Sequence, residues 1–356
     1  MIGAMKRTLL ALTVILSSAV VLTVFVRTMF PKTDSVRRIT SRILPTPATV
    51  SPELQKLIAP PWTGSTKSIP RTNEQWKAMV KQINEGEEQR SQTLRKQFHV
   101  TVKEKTLAGV RVYSVKPEFI PKENRRRLLV HLHGGAYVAF GGEAATSEAI
   151  LMAHFARIEV ISIDYRMPPD FPFPASLDDS VAVWKEIIKS NEPRLVGLFG
   201  TSAGGGLTLA VVIRLKELRL PLPGALMAGT PWSDLTKTGD TYFSNEFVDN
   251  VLGSNDGYLE DAAKLYAAAH DLKDPLLSPV YGDLSGFPPS ILISGTRDLF
   301  LSNTVRVHQR LLISGVVADL LVFEGQSHAQ YLYSDTPESS IALTEVAQFF
   351  DRHLGK

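Results

Sequence analysis

A chain of 356 residues, 44% hydrophobic and 21% charged, has ordinary globular composition and the length for one large α/β domain or two smaller ones. The absence of cysteine excludes disulfides, thiolate chemistry and cysteine-ligated metal, and leaves the compartment open. The net charge of +3 is uneven: residues 1–42 hold seven basic side chains and one acidic, a local +6, so the remainder carries −3 and offers no basic stripe for a nucleic acid.

Residues 9–26 form an uncharged apolar run about long enough to cross a bilayer, preceded by Lys6 and Arg7. A cleaved signal peptide has a shorter apolar core and ends at a small-residue site, whereas Ser17-Ser18-Ala19 lies inside the run and Arg27 follows it directly. The expectation is an uncleaved signal-anchor within residues 1–30, with a cleaved signal peptide as the alternative. Basic residues flank both ends and leave its orientation open.

Residues 31–71, rich in Pro, Ser and Thr, read as a linker with a short helix near Pro52–Ile58. Thr72-Asn-Glu-Gln75 resembles a capping box and opens a helix with Trp76, Met79, Val80 and Ile83 on one face, spanning the segment 72–98. That helix is either a packing element or part of a lid. Alternating residues at 99–105 and 110–115 predict a hairpin. Strands follow at 127–133 and 159–165, with helices at 143–156 and 176–189. An apolar strand then leads to Gly200-Thr-Ser-Ala-Gly204 and an apolar helix. Buried strands at 224–229 and 290–294, a helix at 303–314, a strand at 318–323 and a closing helix at 337–354 complete the rhythm. Alternation of this kind implies a mostly parallel central sheet with helices on both faces, and ligands bound beyond the carboxyl ends of its strands. The polar stretch 232–272 breaks the rhythm and sits where a lid would be built.

Gly200-Thr-Ser-Ala-Gly204 fits G-x-S-x-G, in which a sharp strand-to-helix turn exposes a serine hydroxyl at a helix N-terminus. Acyl transfer through Ser202 needs a base, an acid to orient it and donors for an oxyanion. Of eight histidines, His328 follows a strand directly and precedes a helix. His154 and His308 lie within helices, and His353 sits at the C-terminus. Asp298 ends the strand at 290–294 through a turn; the rival Asp274 precedes that strand. His133-Gly-Gly-Ala136 follows a strand, and the N–H groups of Gly134 and Gly135, joined by that of Ala203, are the candidate oxyanion donors, with His133 holding the loop. His131 and His133 lack a further ligand at metal-site spacing, so no metal is expected. Lys237-Thr-Gly239 matches a β-lactamase element, but no serine in the chain is followed by lysine three positions on, and the match is a coincidence. Tyr137, Phe140, Trp232, Phe247 and Tyr331 stand near strand ends or in the stretch 232–272, and each is either a substrate contact or a core residue.

Taken together, His133-Gly-Gly-Ala136, Asp164-Tyr-Arg166, Phe171-Pro-Phe-Pro-Ala175, Gly200-Thr-Ser-Ala-Gly-Gly205, Pro231-Trp-Ser-Asp-Leu235, Ser278-Pro279, Phe287-Pro-Pro289 and Arg297-Asp298 resemble the bacterial hormone-sensitive-lipase-like esterases, in the branch carrying G-T-S-A-G-G. The resemblance runs from about Trp76 to His353 and omits the N-terminal apolar run. It implies an α/β-hydrolase fold over residues 99–356, with a helical cap from 72–98 and an insertion at about 232–272. It further implies hydrolysis of short-chain carboxylic esters by Ser202, Asp298 and His328, in the order Ser, Asp, His, without cofactor. A lactone, amide or carbamate hydrolase on the same triad, or an inactive membrane-tethered binding protein, are the alternatives. The partners expected are a small-molecule ester, the membrane through the N-terminal segment and a possible second copy in a homodimer. The location expected is the bacterial cell envelope, membrane-anchored or exported to the periplasm. Ala136 replaces the third glycine usual in this family's oxyanion loop, and Met167-Pro-Pro-Asp170 replaces its Leu-Ala-Pro-Glu; both bear on pocket shape and not on the reaction.

Overall fold

In a computed structural model of the chain, residues 43–64 and 69–355 are described. Eight strands form one sheet: β1 (Thr101–Leu107), β2 (Val110–Lys116), β3 (Leu128–Leu132), β4 (Glu159–Ile163), β5 (Val196–Thr201), β6 (Ala225–Gly229), β7 (Ser290–Gly295) and β8 (Ala318–Phe323). Their order is β1-β2-β4-β3-β5-β6-β7-β8. β1 with β2 and β2 with β4 are antiparallel, and every pairing from β4 to β8 is parallel. This is the α/β-hydrolase fold.

Helices α1 (Pro52–Ile58) and α2 (Asn73–Gln97) precede the sheet. Thr72 caps α2 through a reciprocal box with Gln75, which satisfies donors that a helix start otherwise leaves open. Between strands lie α3 (Ser147–Ala156), α4 (Ala175–Ile187) and α5 (Ala203–Glu217). They are followed by α6 (Thr241–Ser244), α7 (Tyr258–Ala267), α8 (Leu301–Ile313) and α9 (Pro337–His353). The helix expected from residue 143 begins instead as a 3₁₀ turn, Gly142–Thr146, and becomes α-helical at Ser147.

Strand residues point alternately to two faces, and the core divides accordingly. Leu128, Val130 and Leu132 of β3 and Leu198 of β5 face one layer, with Leu177 and Trp184 of α4, Leu207 of α5 and Val307 of α8. Leu129 of β3 and Phe199 of β5 face the other, with Ile150 of α3 and Val346 and Phe350 of α9. Fully burying each such side chain contributes about 1.5–3 kcal/mol. Both faces of the parallel strands are covered, which is why those strands read as continuous apolar runs.

The strand order locates the site. The chain leaves β3 toward β4 on one side and leaves β5 toward β6 on the other. The crevice between the carboxyl ends of β3 and β5 is therefore a topological switch point, where ligands bind in open α/β sheets. The His133 loop and Ser202 are the first residues beyond those two ends.

The expectation of membrane anchoring is corrected. Among the described residues, no helix is long and apolar enough to cross a membrane. The run at 9–26, on which membrane attachment and a place in the cell envelope rested, lies outside the described residues, and neither is retained as a property of the protein.

Candidate active site

Ser202 links β5 to α5 with φ 63° and ψ −123°, a backbone state that side-chain-bearing residues seldom adopt and that costs about 1–3 kcal/mol. Surrounding hydrogen bonds hold it there: Ser202 N–H donates to Gly229 O at 2.9 Å, and Ser202 O accepts from Trp232 N at 2.9 Å and Gly206 N at 3.0 Å. Gly204 is required by contact, because a Cβ there would lie 1.9 Å from Leu132 O. That approach brings the loop after β3 against the serine.

In that loop Gly135 has φ 95°, and its carbonyl accepts from Val138 N and Ala139 N. Ala136, Tyr137 and Phe140 follow with positive φ. Among the described residues, the N–H groups of Gly134, Gly135 and Ala203 have no hydrogen-bond partner within the protein. Ala203 also opens α5, whose first N–H groups have no intrahelical acceptor. Three unpaired donors beside one serine hydroxyl can stabilise a negatively charged oxygen.

His133 underpins the loop. Its ring stacks on Tyr165 at 4.0 Å, its Nδ1 donates to Gly134 O at 2.8 Å, and Tyr165 Oη donates to His133 O at 2.6 Å. Burial lowers its pKa to about 4, so the ring is neutral near neutral pH. The unfolded chain takes up a proton at His133 near pH 6.5 while the folded chain does not, so stability falls as the pH drops from about 6.5 to about 4 and levels off below. The expected loss from this group is about 3 kcal/mol, read as a fall in the denaturant midpoint between pH 7.5 and pH 4.5 that shrinks in His133→Asn. An equal fall in that variant would remove His133 as its source.

Asp298, in the loop after β7, and His328, in the loop after β8, are both buried. His328 Nδ1 lies 3.1 Å from Asp298 Oδ1 and 2.8 Å from Thr230 Oγ1. Thr230 donates its own proton to Asp298 Oδ2, as does Ser294 Oγ at 2.6 Å, and Phe300 N donates to Oδ1 at 2.8 Å. With the Thr230 proton committed, both oxygens near Nδ1 are acceptors, so Nδ1 carries the imidazole proton and Nε2 is the free base. Burial alone would raise the Asp298 carboxyl; the His328 ring, Ser294 and Thr230 more than offset it and hold it below its ordinary value. His328 Nε2 is buried and unpartnered, so Ser202 Oγ does not yet donate to it. In unliganded enzymes such contacts are often long and tighten with substrate.

Ser202, Gly134, Gly135 and His328 line one cavity of about 310 Å³, together with Ile83, Glu87 and Arg90 of α2 and Val251, Leu252 and Tyr258 from the segment between β6 and β7. A larger groove of about 1010 Å³ lies elsewhere, and its lining holds the ion pairs of Arg111 with Asp164, Arg166 with Asp179 and Lys77 with Asp170. Ser202, Asp298, His328, Gly134, Gly135 and Ala203 are all absent from its lining.

Of the five aromatic candidates, the structure brings Phe140 to the cavity wall. Tyr137, Trp232 and Tyr331 are buried in the core: Tyr137 stacks on Tyr266 at 3.9 Å, Trp232 stacks on Phe300 at 5.5 Å, and Tyr331 bonds Thr201 behind the serine. Phe247 is exposed and tilts against Trp62, away from the cavity. The rival Asp274 accepts from Leu276 N in its own turn, and Lys237 pairs with Asp256 on the surface. Among the described residues, no group of three or more His, Asp or Glu could hold a metal ion.

Sequence reasoning missed Thr230, Ser294, Asp249 and Glu148. Glu148, buried in α3, accepts from Thr201 Oγ1 at 2.6 Å and meets His131 Nε2 at 3.1 Å. Ser162 Oγ donates to Ala145 O, so it accepts from His131 Nδ1 at 2.9 Å, and the 3.1 Å contact requires one proton between His131 and Glu148. Bonded to each other and to Ser162 and Thr201, the two ionisable groups stay buried behind Ser202.

A family model described as alpha/beta hydrolase fold matches residues 129–332. An acetyl-hydrolase of Streptomyces hygroscopicus is 31% identical over 234 residues, covering 65% of this chain and 77% of that one. An esterase of Acinetobacter venetianus is 28% identical over 249 residues, 68% and 79% of the two chains. The crystal structure of an esterase, E25, superposes with a TM-score of 0.88 at 44% identity, covering 90% of this chain and all of its own. An esterase from the bacterial hormone-sensitive lipase family superposes with a TM-score of 0.71 at 25% identity, covering 86% and 99%.

Proposed function

The chain belongs to the bacterial hormone-sensitive-lipase-like carboxylesterases of the α/β-hydrolase fold and is a serine hydrolase acting on small esters; from that premise we propose that Ser202 is its nucleophile, His328 its general base and Asp298 the acid that orients the base. The observation that carries the assignment is the placement of His328 Nδ1 3.1 Å from Asp298 Oδ1 and 2.8 Å from Thr230 Oγ1, with His328 and Ser202 on the wall of one cavity.

Ser202 Oγ attacks the ester carbonyl carbon as His328 Nε2 takes its proton. The carbonyl oxygen, now an anion, accepts from the N–H groups of Gly134, Gly135 and Ala203. These donors are fixed before the charge develops, and losing one costs about 2.7–4 kcal/mol of transition-state stabilisation. The tetrahedral intermediate collapses, the alcohol leaves with the proton from His328, and the acyl group remains on Ser202. Water then attacks the acyl-enzyme with His328 again as base, and the acid departs. The Asp298 carboxylate stabilises the imidazolium formed in each half-reaction.

Residues 72–98 and the insertion 232–272 act as the cap over the hydrolase domain 99–356, a reading supported by Ile83, Glu87 and Arg90 from the first segment and Val251, Leu252 and Tyr258 from the second on the cavity wall. The modest volume of the cavity supports short acyl groups, with Phe140 as an aromatic contact.

A fluorophosphonate probe tests the assignment. The expected result is one equivalent bound per folded chain, with the adduct on the peptide that contains Ser202. Absence of labelling, or an adduct on another serine, overturns it.

A further inference from the structure

Asp249 lies in the insertion, between α6 and α7, and is completely buried. Its Oδ1 accepts from Val251 N at 2.9 Å and Leu252 N at 3.0 Å; its Oδ2 accepts from Leu299 N at 2.8 Å and His328 N at 3.3 Å. All four partners are backbone donors, so a proton on either oxygen would have no acceptor among them. These four donors favour the carboxylate, against burial and the neighbouring Asp298 charge, which push this carboxyl above its ordinary value.

The two atoms gathered on Oδ2 set the interest of the site. Leu299 directly follows Asp298, and His328 is bonded at its own backbone. One buried oxygen thus ties together two loops whose side chains must meet to within about 3 Å. The other oxygen holds Val251 and Leu252, which line the cavity. Neighbouring residues of the insertion strengthen the hold: Asn245 Nδ2 donates to Asp298 O at 2.8 Å, and Asn250 N donates to Ser327 Oγ at 3.2 Å.

We infer that Asp249 is a positioning residue for catalysis, which aligns the Asp298 loop with the His328 loop and fixes both against the cavity wall. The inference rests on the triad reading above. Asp249 touches neither substrate nor reacting atoms; it acts by fixing where His328 Nδ1 meets Asp298. A charge shared by four N–H donors suits that task, because each such bond is stronger than a neutral one, and replacing the acceptor leaves buried N–H groups opposed to a donor.

The test compares wild type, Asp249→Glu, Asp249→Asn and Asp249→Ser on p-nitrophenyl butyrate, with active sites counted by fluorophosphonate titration and folding checked by thermal melting. The expected result is a fall in kcat per titrated site of about 10- to 100-fold in Asp249→Asn, the range that misplacement of a catalytic group produces, with KM changed less than about threefold. The labelling rate falls in parallel, since it needs the same base. Asp249→Glu, which keeps the charge, recovers part of the loss. An unchanged kcat per titrated site with a lowered melting temperature makes the residue purely structural and overturns the inference. So does a raised KM at constant kcat, which would confine Asp249 to shaping the wall, and so does failure of all three variants to fold. Ser202→Ala is run beside them: if it keeps wild-type turnover, the triad reading itself fails, whereas an inactive Ser202→Ala with a normal Asp249→Asn sinks this inference alone.

Discussion

Ser202→Ala is expected to lower kcat for p-nitrophenyl butyrate by about 10⁶-fold, the loss that follows removal of a serine nucleophile that acts as a unit with its base. The substitution leaves the elbow intact for a physical reason. Alanine keeps the Cβ, so the strain at φ 63° is unchanged, and the bonds to Gly229, Gly206 and Trp232 use backbone atoms. Residual hydrolysis above the rate in water is expected from the unpaired N–H donors and from binding alone. Single-turnover kinetics on separately prepared protein measure it, and turnover within tenfold of wild type would move the nucleophile elsewhere.

Asp298→Asn carries the next largest effect, a loss in kcat of about 10⁴-fold. The carboxylate receives four donors: His328 Nδ1, Thr230 Oγ1, Ser294 Oγ and Phe300 N. An amide offers one acceptor atom and sets its NH₂ among groups that all donate. Thr230 and Ser294 must turn, Nδ1 loses its carboxylate partner, and the imidazole proton moves to Nε2, where it blocks the base. The imidazolium also loses its counter-charge. Steady-state kcat and the fluorophosphonate labelling rate should fall together. A variant within tenfold of wild type on both would mean that Thr230 alone sets the tautomer.

Much of this was legible because chemistry and fold share a pattern. A short apolar strand, a glycine-flanked serine and an apolar helix can be read along the chain, and so can His133-Gly-Gly-Ala136, since each motif is a local turn whose residues obey local sterics. Gly204 belongs to the motif because a side chain there would strike Leu132 O. The order of the strands, which sets the crevice between β3 and β5, follows from alternation only in outline. What escaped was contact without local pattern. Thr230 and Asp249 act through partners 98 and 79 positions distant, and nothing near either residue in sequence announces that partner. The aromatic side chains illustrate the same gap. Tyr137 and Phe140 stand three positions apart in one loop, yet one stacks in the core on Tyr266 and the other faces the cavity. Which way a loop residue points is decided by φ at its neighbours, and hydropathy does not encode it. The N-terminal run, which hydropathy alone reads as a membrane span, lies outside the described residues, among which no helix is long and apolar enough to cross a membrane.

The cavity wall has an ancestry built into it. Arg90 donates to Leu332 O at 2.6 Å from a helix that precedes the whole sheet, while Val251 and Leu252 come from a segment inserted near its end. A genetic crossover anywhere between these segments joins half of one parent's wall to half of another's, while the serine, acid and base survive intact. Chimaeras of such chains should therefore inherit the reaction more readily than they inherit a substrate, and selectivity has to drift by paired, distant substitutions and not by exchange of a single module.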